Sequence, residues 1–335
     1  MATQELITFD KIKTVRQVPL EEFYTSGHRT CQGCESALVM RDFAKAAGPR
    51  TVVTGSTGCM YVANTSYMTT PWVVPWMHTQ LGAGGSSAVG MAAGLRAQMR
   101  KGKIPPEKIN VISFCGDIGG GDMGLSGISA ALQTDYDLLI ILYDNESAAN
   151  TDIQATGLTP YGAQTTFTPP GKVHRIMQRR WKKNVAGMLA VGHPTCRYVA
   201  TACATYPPLD YMNKVRKALS VGGPTFIHTF DPCPKGWDFH PRYSHELGEL
   251  GVRSGIFPLY EVIDGEVHYT HDARKERVPV REYLMRQGRF AHLIEEDIAY
   301  IQKMVDEMWD EWEIPGGAPL KANLKVAARP AGRAG

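Results

Sequence analysis

The sequence lacks any apolar run that approaches the roughly 18 residues of a membrane span. It also lacks an N-terminal basic segment followed by an apolar stretch, so we expect no signal peptide and a cytoplasmic protein. No excess of charge of one sign is present, because 36 basic and 33 acidic residues give a formal net charge of +3. Composition therefore predicts neither a nucleic-acid partner nor a membrane partner.

Cysteine is scarce, and its number is odd. Seven cysteines in 335 residues cannot all pair in disulfides, and in a reducing compartment cysteines arranged in motifs are more often metal ligands or catalytic groups. Disorder is excluded for most of the chain, because 43% of the residues are hydrophobic and 21% are charged. The chain is long enough for one large domain or two modest ones.

Segments of strand and helix character alternate along the chain. The strand-like segments are residues 51–54, 110–114, 138–143, 198–203 and 225–230, and the helix-like segments are residues 35–47, 84–99, 123–133 and a helix that begins near Asp210. Residues 138–143 form a continuous apolar run, which is typical of a strand buried on both faces. We therefore predict an α/β fold with a doubly wound, mostly parallel sheet in a domain of residues 1–245.

Three further segments carry weaker predictions. Residues 246–335 are charged and amphipathic, and we predict an extended C-terminal segment with a helix near 295–312 and a tail that contacts other subunits. Residues 154–171 are too long and irregular for a simple connection, which favours a functional loop. The basic run of residues 177–183 is interpreted as a solvated face or a subunit contact, with coenzyme A binding as the less favoured alternative.

The strongest motif is a set of cysteines. Cys31 and Cys34 form a C-x-x-C pair, and Cys59 follows after 24 residues. Thiolates at this spacing typically bind an inorganic centre, and a third thiolate from a distant segment closes the site. The spacing fits tetrahedral zinc and an iron–sulfur cluster equally well.

A glycine-rich segment, Gly116 to Gly121, directly follows the predicted strand 110–114. Its position at the carboxyl end of a parallel strand is where ligands bind in open α/β sheets. Asp117 in this segment, and Asn145 and Ser147 after the next buried strand, offer a carboxylate, an amide oxygen and a carbonyl. Such hard oxygens suit Mg²⁺ beside a diphosphate, so the two strand ends predict a magnesium and diphosphate site.

Together, the two motifs resemble the β subunit of the 2-oxoacid:ferredoxin oxidoreductases, the pyruvate synthase group in particular. The resemblance covers residues 27–237, and its other marks are Gly27-His28, Gly58 before Cys59, the run of residues 122–125, Asn150-Thr151 and the segment of residues 159–172. It implies a thiamine-diphosphate-binding fold and a 4Fe-4S cluster. The fourth ligand of this cluster would be Cys233, in Asp231-Pro232-Cys233-Pro234. The competing candidates are Cys115, Cys196 and Cys203.

The resemblance also implies roles for the site residues. Mg²⁺ would be held by Asp117, Asn145 and the carbonyl of Ser147. Gly116 and Gly119 would cradle the diphosphate of thiamine diphosphate, and Asn150 would reach the thiazolium side and the substrate as the catalytic residue. The cluster would lie on Cys31, Cys34, Cys59 and Cys233, and Cys59, in a loop near the sheet edge, would bring it close to the cofactor.

The implied reaction is the coenzyme A-dependent oxidative decarboxylation of a 2-oxoacid, with electrons leaving to ferredoxin or another acceptor. The implied partners are an α subunit that supplies a cofactor-activating glutamate, a ferredoxin-like iron–sulfur subunit and a γ subunit. The sequence departs from the family pattern at Ile118, Gln32 and Glu35. Small residues at 82–85 favour a wider substrate pocket, which makes an aryl 2-oxoacid such as phenylglyoxylate an alternative to pyruvate. Two other interpretations are a structural zinc- or nucleotide-binding module and a non-oxidative thiamine-diphosphate decarboxylase.

Overall fold

The computed structural model describes residues 7–65 and 69–310. In this part of the chain eight strands form one sheet, in the order β2-β1-β3-β4-β6-β5-β7-β8. The strands are β1 (Thr51–Ser56), β2 (Trp76–Thr79), β3 (Asn110–Cys115), β4 (Leu138–Asp144), β5 (Tyr198–Ala202), β6 (Pro224–Phe230), β7 (Leu259–Ile263) and β8 (Glu266–His271). Strands β1 to β6 pair in parallel, whereas β7 and β8 pair antiparallel, so the predicted mostly parallel sheet is confirmed.

Helices cover both faces of this sheet. They are α1 (Glu35–Ala47), α2 (Cys59–Asn64), α3 (Gly84–Arg100), α4 (Leu125–Leu132), α5 (Val185–Gly192), α6 (Asp210–Ser220), α7 (Pro234–Trp237), α8 (Ser244–Arg253), α9 (Val280–Leu284) and α10 (Glu295–Asp310). The segment Asp117–Gly121 forms one π-helical turn. No helix within the described ranges is long and apolar enough to cross a membrane.

The central strand β4 explains how the sequence produces a two-faced core. Its alternate side chains Leu139, Ile141 and Tyr143 pack into a cluster with residues of α1 and α6. The intervening Leu138, Ile140 and Leu142 pack into a second cluster with residues of α3, α4 and α5. A strand buried on both faces needs apolar residues at every position, which is why this segment reads as one apolar run.

Several elements differ from the sequence-based expectation. Strand β2 was not predicted, because it is a four-residue edge strand that contains His78 and Thr79. The antiparallel hairpin of β7 and β8 was not predicted either, although Asp264-Gly265 at its tip, both with positive φ, is a typical two-residue hairpin turn. These two strands extend the same sheet beyond residue 245. The expected tail lies outside the described residues.

The packing of α3 against α4 gives a stability prediction with a control in the same helix. A Cβ on Gly85 would lie 2.3 Å from the carbonyl oxygen of Gly127 at the start of α4, whereas a Cβ on Gly90 would meet nothing within 4 Å. We expect Gly85→Ala to destabilise the protein by about 1–3 kcal/mol through overpacking. Gly90→Ala should be neutral or stabilising, since alanine is the better helix former. Thermal unfolding of the two variants tests this, and equal midpoints would contradict it.

Candidate cofactor and thiol site

The two predicted strand ends lie side by side. Strands β3 and β4 are direct neighbours in the sheet, and β3 runs into the π-helical turn that begins at Asp117. The Asp117 side chain is buried, and its Oδ1 accepts a hydrogen bond of 3.2 Å from the backbone N–H of Asn145. The structure therefore brings Asp117 and Asn145 together as the sequence predicts.

A cavity of about 120 Å³ opens at this point. It is lined by Thr57, Gly58, Cys59, Leu81, Gly116, Asp117, Ile118, Gly119, Tyr143, Asn145, Ser147, Ala148, Ala149, Asn150 and Thr151. Glycine is required at its base for close packing: a Cβ on Gly119 would lie 2.3 Å from Oγ of Ser56, and one on Gly116 would lie 3.0 Å from the Tyr143 ring. All of the residues predicted to hold the diphosphate or the magnesium ion line this one cavity.

Two buried oxygens of residues that line this cavity have no partner. Oδ1 of Asn145 and Oγ of Ser147 make no hydrogen bond, although both side chains are buried. Buried polar atoms are nearly always satisfied, so an unpaired pair beside a buried carboxylate indicates a missing ligand. Oxygen donors of this type fit Mg²⁺.

The electrostatics of Asp117 agree with a cation site. Burial raises the pKa of this carboxyl well above its ordinary value, and the nearby charge of Asp144 raises it further. Asp144 behaves in the opposite way: burial alone would raise its pKa, but the charge of Lys182 and a hydrogen bond from His228 lower it below the ordinary value. Asp144 therefore has its counter-charge within the protein, while a divalent ion would keep Asp117 ionised.

Four of the seven thiols lie near one another. Cys31 and Cys34 precede α1, Cys59 is the first residue of α2, and Cys233 is the N-cap of α7. Cys59 thus begins a helix rather than lying in a loop as expected. Burial raises the pKa of Cys59 to about 12 and that of Cys233 to about 11. The charge of Cys233 also raises the pKa of Cys34 and of Cys59, and that of Cys31 raises the pKa of Cys233.

The remaining thiols are elsewhere in the core. Cys115 is fully buried in β3, Cys196 donates to the carbonyl of Pro224, and Cys203 pairs with Oγ1 of Thr205. In the part of the chain that the structure describes, no three His, Cys, Asp or Glu side chains lie close enough to hold a single metal ion.

Comparisons with known proteins decide the family. Pyruvate synthase subunit PorB of Methanocaldococcus jannaschii is 46% identical to this chain over 294 residues, which cover 88% of this chain and 97% of that protein. This chain belongs to the β subunits of the 2-oxoacid:ferredoxin oxidoreductases. It is an oxidoreductase subunit of the class that acts on 2-oxoacids together with partner subunits.

Other similarities of this β subunit agree. Ketoisovalerate oxidoreductase subunit VorB of Pyrococcus horikoshii is 36% identical over 302 residues, covering 90% of this chain and 96% of that protein. The family model for the C-terminal TPP binding domain of thiamine pyrophosphate enzymes matches residues 56–229, just over half of the chain. A solved structure of 2-oxoglutarate:ferredoxin oxidoreductase from Magnetococcus marinus matches with a TM-score of 0.51 at 17% identity, over 68% of this chain and 79% of that one. This last similarity supports the fold alone.

In this β subunit, Cys59 belongs both to the cavity wall and to the group of four thiols. The amide Nδ2 of Asn145 lies 3.7 Å from Sγ of Cys59, and Cys59 itself lines the cavity. The backbone N–H of Asn150 also donates to Cys59, and the exposed Asn150 side chain lies at the cavity wall. The indole of Trp237, in the same helix as Cys233, donates a 2.8 Å hydrogen bond to the carbonyl of Asn145.

Sequence reasoning missed two parts of the site and misjudged a third. Thr57 lines the cavity and its hydroxyl lies 2.9 Å from Nε2 of His78, at the end of the unpredicted strand β2. Oγ1 of Thr156 approaches Oδ2 of Asp117 at 3.5 Å from the loop 154–171. The interpretation of residues 177–183 as a solvated face or subunit contact was wrong for Lys182, whose side chain is 16% exposed and pairs with Asp144 and Glu146.

Proposed function

We propose that this β subunit holds thiamine diphosphate, Mg²⁺ and a 4Fe-4S cluster in a pyruvate synthase type of enzyme. The reaction is the coenzyme A-dependent oxidative decarboxylation of a 2-oxoacid, which yields an acyl-CoA, carbon dioxide and two electrons. The observation that carries the proposal is the buried carboxylate of Asp117 next to Asn145, whose Oδ1 has no partner, in a cavity whose wall includes Cys59.

The chain's own residues have separate tasks in this proposal. Asp117, Asn145 and Ser147 hold Mg²⁺, and Gly116 and Gly119 leave room for the diphosphate. When bound, thiamine diphosphate supplies the electron sink for decarboxylation. Asn150, exposed at the cavity wall, contacts the substrate and the thiazolium side of the cofactor.

The proposed exit for the electrons is a cluster bound by four cysteines. Cys31, Cys34, Cys59 and Cys233 would hold the cluster, and Cys59 contacts Asn145 of the proposed magnesium site. The cluster would supply one-electron transfer toward a ferredoxin-like subunit, with ferredoxin or another acceptor as the final oxidant. An α subunit supplies the cofactor-activating glutamate, and a γ subunit completes the complex, so the chain alone is inactive.

Pyruvate is the preferred substrate in this proposal. Three archaeal relatives at 42–46% identity are named pyruvate synthase subunits, while those at 36% identity are named ketoisovalerate oxidoreductase subunits. Coenzyme A would accept the acyl group. An aryl 2-oxoacid such as phenylglyoxylate has support from the small residues at 82–85, but these glycines also make the tight start of α3, where a Cβ on Gly84 would meet Sγ of Cys115.

The substrate is tested on the assembled complex with pyruvate, 2-oxoisovalerate, 2-oxoglutarate and phenylglyoxylate, with coenzyme A and a viologen acceptor. We expect the highest kcat/KM for pyruvate and no turnover without coenzyme A. A maximum for phenylglyoxylate would replace pyruvate by the aryl substrate. Carbon dioxide release without viologen reduction would indicate a non-oxidative decarboxylase, and a colourless, zinc-containing protein with no turnover on any substrate would refute the assignment.

A further inference from the structure

The segment that follows β4 is held by contacts on the side that faces away from the cavity. Asp144 at the end of β4 is fully buried, and its Oδ1 accepts a 2.9 Å hydrogen bond from the backbone N–H of Glu146. Its Oδ2 lies 2.5 Å from Nζ of Lys182 and 2.8 Å from Nε2 of His228. The residue before Asn145 therefore has a full set of partners on the side away from the cavity.

The residue after Asn145 is held by two cations. Oε1 of the buried Glu146 lies 2.8 Å from Nζ of Lys182, and Oε2 lies 2.6 Å from Nη2 of Arg289. Glu146 has a φ of 63°, in the left-handed region that residues other than glycine rarely adopt. Such a conformation persists only where the surroundings determine it, and here the two ion pairs do so.

Lys182 thus joins the carboxylates on either side of Asn145 through one ammonium group. Asn145 contributes its own carbonyl to Trp237, and its side-chain Oδ1 is buried without a partner, in a residue that lines the cavity. We propose that Lys182 is a positioning residue, which, together with Arg289, clamps Asp144 and Glu146 and thereby aims Oδ1 of Asn145 at the magnesium ion. This inference rests on the proposed function of the cavity.

The next residue provides a matched control. Lys183 contacts the carbonyl of Gly121 and the carboxylate of Asp122, behind the glycine-rich turn. Its side chain is 44% exposed, against 16% for Lys182, and its carboxylate partner is 26% exposed. An exposed pair is screened by solvent and contributes little, whereas removing the one cation between two buried carboxylates leaves them unbalanced.

The test compares Lys182→Met and Lys183→Met in the assembled complex after removal of thiamine diphosphate and metal. Mg²⁺ is titrated at saturating thiamine diphosphate, and bound cofactor is measured by equilibrium dialysis. Losing a contact that orients a metal ligand costs about 10- to 100-fold in metal affinity, and we expect that loss for Lys182→Met. Lys183→Met should cost less than about fivefold.

A second metal separates positioning from a merely structural role. Mg²⁺ demands near-ideal octahedral geometry, while Ca²⁺ accepts irregular sites, so a misaimed Asn145 should weaken Mg²⁺ binding more than Ca²⁺ binding. We therefore expect Lys182→Met to lower the ratio of Mg²⁺ to Ca²⁺ affinity and Lys182→Arg to restore it. Equal losses for both ions would overturn the proposal, and so would a Lys182→Met titration that matches Lys183→Met.

If Lys182→Met does not assemble, Glu146→Gln takes its place, because it removes the clamped charge without changing the side-chain volume. The same lowered Mg²⁺ to Ca²⁺ ratio is expected, and an unchanged ratio would overturn the proposal. Failure of the proposed function is seen separately, since the unaltered complex would then show no saturable, metal-dependent binding of thiamine diphosphate.

Discussion

Replacing Asp117 with asparagine is expected to abolish metal-dependent binding of thiamine diphosphate by the assembled complex while its iron content stays unchanged. Asp117 is the one carboxylate among the three proposed magnesium ligands, and the amide of the variant cannot supply its charge. We expect the Mg²⁺ affinity to fall by at least about 100-fold, because loss of a supporting contact alone costs about 10- to 100-fold. Equilibrium dialysis of cofactor and iron analysis measure the two quantities.

The stability of the cofactor-free Asp117→Asn variant gives an independent check. Because the pKa of Asp117 is raised in the folded protein, the unfolded chain binds fewer protons at this group, and stability falls as the pH rises above the ordinary carboxyl range. Asparagine removes that penalty, so the cofactor-free variant should melt no lower than the unaltered protein at neutral pH. Asp122→Asn is the control, since Asp122 is partly exposed and pairs with Lys183. Cofactor binding that survives in Asp117→Asn would contradict the site.

Replacing Cys233 with serine is expected to lower the iron content and leave cofactor binding intact, the reverse of Asp117→Asn. The variant should lose the iron of one 4Fe-4S cluster and the matching visible absorbance, while thiamine diphosphate still binds. Cys233 is distant in sequence from the other proposed ligands, but it lies near Cys34 and Cys59, because its charge raises the pKa of both thiols. Iron per complex and absorbance before and after dithionite measure the loss.

Cys203→Ser is the matched control for this variant. Cys203 is a buried thiol that pairs with Thr205 and is not one of the proposed ligands, so its replacement should leave the iron content unchanged. Full iron in Cys233→Ser, or iron lost from Cys203→Ser, would show that the fourth ligand had been misassigned. Zinc in place of iron in the unaltered complex would remove the electron path altogether.

The position of the cofactor cavity could be predicted from sequence for a physical reason. Parallel strands end at one edge of the sheet, so Asp117 and Asn145, which follow two adjacent buried strands, had to come together there. The fold class followed from the same signal, because the continuous apolar run of β4 indicates burial on both faces. The assignment of Cys233 came from the family resemblance, since spacing alone does not connect it to Cys31 and Cys34.

Two other features of the structure, the burial of Lys182 and strand β2, could not be predicted because no local sequence pattern indicates them. Lys182 lies in a run of basic residues, and nothing in that run shows which side chain will be buried between Asp144 and Glu146. The pairing depends on how residues 177–183 cross the end of β4, which is a tertiary contact. Strand β2 has only four residues, too few for an alternating pattern to indicate a strand, although it places His78 beside Thr57 at the cavity.

We expect this one chain to bring a thiamine-diphosphate site and an iron–sulfur cluster into contact through Asn145 and Cys59. A diffraction structure of the complex with Mg²⁺ and thiamine diphosphate, with anomalous data at the iron edge, tests it most directly. We expect an iron signal among Cys31, Cys34, Cys59 and Cys233, and Mg²⁺ bound by Asp117 and Asn145 in the adjoining cavity. An absent iron signal at the four thiols, or a diphosphate bound elsewhere, would contradict the account.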